Sequence, residues 1–159
     1  MVNSGLSIKL FEFQEQAVMK LIDLTSKTDS KQTIIMKAPT GAGKTIILID
    51  YIDTYLTNIS DNTVFIWLCP GKGNLEEQSL EKMAKFAPGR VTQNLFDALL
   101  SGFTPGSTTF INWELVTKKE NTAIRDSERK NLFDHIADAH RSGLEFIVII
   151  DGYLRVHFV

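Results

Sequence analysis

The segment Ala38–Thr45, APTGAGKT, carries the clearest chemistry in the chain. It departs from the phosphate-loop pattern at its first residue, alanine for glycine, and keeps the G-x-G-K-T that follows. Gly41 and Gly43 allow a tight turn that points backbone N–H groups inward, with Thr40 and Ala42 between and beside them. A helix starting near Lys44 would bring its positive dipole end to the same point. Lys44 would then reach the β- and γ-phosphates of ATP, and Thr45 would place a hydroxyl on Mg2+. The plain alternative is a glycine-rich turn with a chance lysine. A strand before the motif and a helix after it favour the phosphate reading.

A second feature sits far along the chain. Ile147–Asp151, IVIID, ends an apolar run in a carboxylate. Such an aspartate can hold Mg2+ through water, or it can simply open a turn with Gly152. The phosphate loop in the same chain favours the metal role. Pro70–Gly73 (PGKG) follows another apolar run. Its backbone N–H groups could approach a nucleic-acid phosphate, with Lys72 as charge partner; a plain strand-ending turn explains it equally well. Trp113, beside Asn112, could stack on a base, but tryptophans more often fill core space, and that is the expectation here. The basic residues of 118–130 are interleaved with acidic ones and read as a solvated helix face. His135 and His140 lack a paired ligand, so no metal site is expected there. Cys69 reads as a small buried apolar residue.

Strands alternating with helices would position these groups. Apolar runs at Thr33–Lys37, Thr63–Cys69, Thr108–Asn112 and Glu145–Ile150 predict buried strands. Helical periodicity predicts helices over Phe13–Ser26, Lys44–Leu56, Leu75–Phe86, Asn94–Leu100 and Ser127–Arg141, the last with Leu132, Phe133, Ile136 and Ala139 inward. Fully apolar strands between helices imply an α/β fold: a parallel sheet with helices on both faces. Ligands of such sheets bind beyond the carboxyl ends of the strands, where the loop and Asp151 fall.

Composition sets the limits. At 159 residues and 17.9 kDa the chain is one domain's worth. Apolar residues at 43% and charged residues at 23% are globular values, which argues against disorder and coiled coil. A net charge of −2 excludes holding nucleic acid by bulk charge. One cysteine excludes an internal disulfide and a cysteine-rich zinc site. No apolar run is long enough to cross a membrane, and MVNSGLSIKLFEF is no signal peptide, so a soluble, cytoplasmic protein is expected.

Four blocks resemble superfamily 2 helicase motors, more narrowly the helicase subunit of type III restriction enzymes and related phage-type DEAD/DEAH helicases. FEFQEQAV resembles the glutamine block ahead of the phosphate loop. APTGAGKT resembles motif I, VFIWLCPGKGNLEEQS motif Ia, and FINWELVTKKEN the asparagine-tryptophan-glutamate block of type III-like members. The resemblance spans about residues 8–151. It implies a P-loop NTPase of RecA-like fold that binds ATP and Mg2+ and, in the complete protein, couples hydrolysis to movement on DNA. A restriction-modification methylase subunit is the implied protein partner. Gln14 would read adenine, since an amide can donate and accept at once; alone, it is as readily a solvated helix residue. Phe11 or Phe13 could stack on the base, though aromatics on such a segment are mostly core. Lys44 and Asp151 would be the catalytic pair, with Thr45 and Asp151 on the metal.

The resemblance breaks inside motif II. Family members run Asp-Glu-x-His, whereas Asp151 is followed by Gly152 and YLRVHFV. The glutamate that polarises the attacking water is absent, and His157 is out of place. A frameshift or premature stop would account for this, making residues 1–159 an incomplete first motor domain with 152–159 as a non-native tail. The missing motif III strand would leave two central strand edges unpaired, at roughly 1–3 kcal/mol per buried orphan group, so only marginal folding is expected. ATP turnover near background, with binding retained, would follow; a non-catalytic nucleotide-binding module is the competing reading.

Overall fold

The strand Thr63–Cys69, TVFIWLC, is buried along its whole length, as a strand covered on both faces must be. A computed structural model describes residues 5–27, 33–71, 74–114, 126–151 and 155–158, with backbone alone for 126–131 and 155–158. The strands in chain order are β1 (Thr33–Ile35), β2 (Thr63–Cys69), β3 (Val91–Asn94), β4 (Ser107–Asn112), β5 (Glu145–Ile150) and β6 (Arg155–Phe158). The helices are α1 (Glu12–Ser26), α2 (Lys44–Asn58), α3 (Leu75–Phe86), α4 (Leu95–Ser101) and α5 (Asp126–Arg141). One sheet of order β1-β6-β5-β2-β4-β3 runs through the domain, and β5, β2, β4 and β3 are mutually parallel.

Strand alternation divides the core in two. Phe65, Trp67 and Cys69 of β2, with Ile147 and Ile149 of β5, face α1, α2 and α3. Val64, Ile66 and Leu68, with Phe146, Val148 and Ile150, face α4 and α5. The α/β fold with helices on both faces is therefore present. Helix α2 is enclosed on every side from Ile47 to Leu56. Tyr51 and Tyr55 meet Phe65 edge-on at 5.7 and 5.6 Å, an arrangement that suits aromatic quadrupoles.

Four features differ from the sequence expectation. The strand expected to be buried over Thr33–Lys37 is only β1, Thr33–Ile35, and it is largely open to solvent, with Ile35 54% exposed. Strand β3, VTQN, has no apolar run to betray it, because it is an outer strand half open to solvent. Strand β6 occupies the place expected to be empty. It pairs antiparallel with β1 (Ile35↔Arg155) and with β5 (Ile150↔Arg155), so both inner edges are satisfied. The reason is chain length: a parallel return needs a crossover of roughly a dozen residues, whereas a short reversal suffices for an antiparallel one. Finally, Phe133 is 66% and Trp113 45% exposed, so neither fills the core as expected. Phe133 lies one residue past the buried Leu132, on the solvent side of α5.

Candidate nucleotide-binding site

Strand β1 leads into residues 36–43, which have no regular structure apart from the turn at 40–42. The Ala42 N–H donates to the Pro39 carbonyl at 3.2 Å, closing that turn. Gly41 (φ 84°) and Gly43 (φ 76°) adopt left-handed conformations that cost other residues roughly 1–2 kcal/mol. Gly43 caps α2 without a side chain, and no acidic residue stands in the first turn. The first N–H groups of α2 therefore have no intrahelical acceptor, and the helix dipole makes this end positive. Lys44 and Thr45 are half-buried at this point, and no carboxylate among the described residues pairs with Lys44. Thr40 and Gly41 are exposed. This is a ready anion cradle.

Gln14 braces the cradle. It is buried at the start of α1; its Nε2 donates to the Ala42 carbonyl at 3.0 Å and its Oε1 accepts from the Phe11 N–H at 2.9 Å. A Cβ added to Gly43 would meet Gln14 Nε2 at 2.5 Å and push that amide aside, on top of the strain from the left-handed backbone. An amide has two donor hydrogens and two acceptor lone pairs, so one of each remains. Phe11 and Phe13, expected mostly in the core, are instead 70% and 53% exposed and stack nearly parallel at 6.0 Å.

Asp151 marks the other pole. Its N–H donates to the Leu68 carbonyl at 2.9 Å, continuing the β2–β5 ladder by one residue. Trp67 Nε1 donates to Asp151 Oδ2 at 3.3 Å. Trp67 is fully buried and stacked on Phe110, so its indole is a fixed donor that orients the carboxylate. The sequence reading missed this residue, although a buried indole N–H usually finds an acceptor. Nearby Cys69 is buried, as expected; burial, then the Asp151 charge, pushes its thiol up to about 12, so it is no nucleophile. Ile35 and Ile150 flank Arg155 in register, which sets the ends of β1 and β5 two strand spacings, about 10 Å, apart at the carboxyl edge.

The motif Ia turn is less open. Pro70 and Gly71 are half-buried, and Lys72 lies outside the described residues. The space above Gly71 holds the Glu114 side chain, an anionic neighbour. Asn112 Oδ1 accepts from the Glu114 N–H at 3.0 Å and so shapes the chain after β4. His140 Nδ1 lies 3.1 Å from the Leu144 carbonyl, and much of the basic segment 118–130 is likewise outside the described residues.

A strand–loop–helix phosphate cradle at the carboxyl edge of a mainly parallel sheet defines the P-loop NTPase class in its RecA-like form. The profile of the family described as "Type III restriction enzyme, res subunit" matches residues 7–152, a span that includes Gln14, the loop and Asp151. The chain belongs to this helicase-related family. Comparison with curated proteins gives no match. No described helix is long and apolar enough to cross a membrane.

Proposed function

We propose that this chain binds ATP with Mg2+ and serves as the ATP-binding motor domain of a DNA helicase or translocase. The observation that carries this is the cradle: two left-handed glycines, an uncapped helix start and Lys44 without a carboxylate partner among the described residues. Backbone N–H groups of residues 40–45 would bind phosphate oxygens, and Lys44 would add charge. Thr45 and Asp151 would hold Mg2+ together with phosphate oxygens and water, since Mg2+ keeps several waters and needs few protein ligands. The bound metal would neutralise charge developing on the phosphates. Gln14 would offer its remaining donor and acceptor to adenine, with the exposed Phe11 and Phe13 rings beside it.

DNA is the proposed track and a methylase subunit the proposed protein partner. Pro70, Gly71 and Lys72 are the proposed DNA contacts, reached once Glu114 swings aside. Gly152, where the resemblance calls for glutamate, favours a second reading: a module that binds nucleotide without turning it over. Calorimetric titration of the 159-residue chain with ATP and Mg2+ tests the first claim. Lys44→Ala should weaken binding about tenfold or more, the value of a charge-assisted contact; unchanged affinity would overturn the nucleotide reading. Release of phosphate above background that Lys44→Ala removes would overturn the second reading.

A further inference from the structure

We propose that the cavity between α1, α2 and the segment Ile8–Leu10 binds a small organic cation, an amine carried on an apolar body. The cavity encloses about 440 Å³, within the roughly 300–1,000 Å³ of small-molecule sites. Ile8, Leu10, Val18, Met19 and Ile22 form apolar walls. Asp50 and Thr54, one turn apart on α2, also line it, and each is at least nine-tenths buried at 5% and 4% exposure. Neither Asp50 Oδ1 nor Thr54 Oγ1 has a hydrogen-bond partner. Buried polar atoms are nearly always partnered, so two orphans on residues that line one cavity point to a missing donor.

The charges around the cavity set the sign of its ligand. From α1, Glu15 and Asp23 face it; from α2, Asp53 stands one turn from Asp50; from the N-terminal segment, Lys9 is the one basic side chain among the described lining residues. Lys9 is exposed and makes no described contact with Asp50. Asp23 is engaged by Lys27 at 2.8 Å, and Asp53 by Arg90 and the Gly5 N–H. Among the described residues Asp50 has no cation partner. Burial, then Asp53 and Glu15, raise its carboxyl to about 6, the behaviour of an acceptor lacking its donor. An ammonium has three hydrogens and can serve both Asp50 and Thr54. No cluster of three metal-ligating side chains exists among the described residues, and five walls are apolar, so the fitting cation is organic. The site is separate from the cradle: at 1.5 Å per residue, Asp50 and Thr54 lie about 9 and 15 Å along α2 from Lys44.

The test is an amide NMR titration of the labelled 159-residue chain with hexylamine, hexanol and hexanoate at pH 8. Hexylamine should shift the amides of Val18, Ile22, Asp50 and Thr54 saturably, and bind about tenfold more tightly than hexanol; hexanoate should not bind. Asp50→Asn, nearly isosteric, should erase the preference for amine over alcohol. Met19→Trp, filling the cavity from its rim, should remove both ligands. At pH 5, below the raised carboxyl value, the preference in the unsubstituted chain should shrink. Equal affinity for amine and alcohol, or a preference that survives Asp50→Asn, overturns the proposal.

Discussion

Helix α2 carries two polar regions of opposite need. Its first turn presents donors without acceptors, where Gly43 caps the helix with no side chain. Two turns later, Asp50 and Thr54 present acceptors without donors. The first region is half-buried and would attract an anion; the second is buried and would attract a cation. The same helix adds a control. Asp53 is as buried as Asp50, three residues away, yet its carboxylate holds Arg90 Nε at 2.6 Å and the Gly5 N–H at 2.9 Å. Burial of a carboxylate therefore does not by itself mark a site; the absence of its partner does.

Four changes would break or sharpen this contrast, beginning with the largest expected effect. Asp53→Asn should cost about 3 kcal/mol in a urea denaturation, because the Arg90 charge loses its partner in a mostly buried position. Stabilisation by Asp53→Asn, the sign expected below for Asp50→Asn, would erase the distinction between the two carboxylates. Gly43→Ala should abolish detectable ATP binding in calorimetry and cost about 1–2 kcal/mol of stability, since it meets both the left-handed backbone and Gln14 Nε2. It should leave amine binding near Asp50 intact, which a single merged site would not allow.

Asp50→Asn should stabilise the protein at pH 8 by about 2–3 kcal/mol. The sign follows from the raised folded value of about 6 against an ordinary 3.8. The folded state holds the proton more tightly, so the unsubstituted chain is most stable below the ordinary value. It loses that stability as pH rises through about 6. Thermal melts between pH 4 and 7 should show this fall, and Asp50→Asn should flatten it. Trp67→Phe should have the smallest effect on the nucleotide site. Losing one hydrogen bond to Asp151, about 1 kcal/mol, should weaken Mg2+-dependent ATP affinity about fivefold and leave Mg2+-free affinity unchanged. A fall in both would mean Trp67 acts through core packing instead.

The phosphate loop was legible because its requirements are local. Left-handed turns need glycine, and the motif's strand and helix neighbours can be read from apolar patterning. The apolar runs of the parallel strands β2, β4 and β5 were legible for the same reason. Strand β3 was not, since half of VTQN faces solvent and shows no run. Strand β6 was not, since its pairing depends on a gap left by distant strands. The exposed Phe11 and Phe13 also escaped the sequence reading, because hydrophobicity alone does not say whether an aromatic points inward.

By itself the sequence determined the fold class, the cradle and the strand-end carboxylate of Asp151, all of which follow from residue types within one strand–turn–helix or one strand. Only the tertiary structure decided which buried polar groups are satisfied. Trp67 meets Asp151 across neighbouring strands, Gln14 meets the loop from another helix, and Arg90 finds Asp53, whereas no described donor meets Asp50 Oδ1. Hydrogen bonds form between atoms a few ångströms apart in space. Chain separation does not encode that distance, so partnership, and its absence at Asp50, appears only once the helices and sheet are packed.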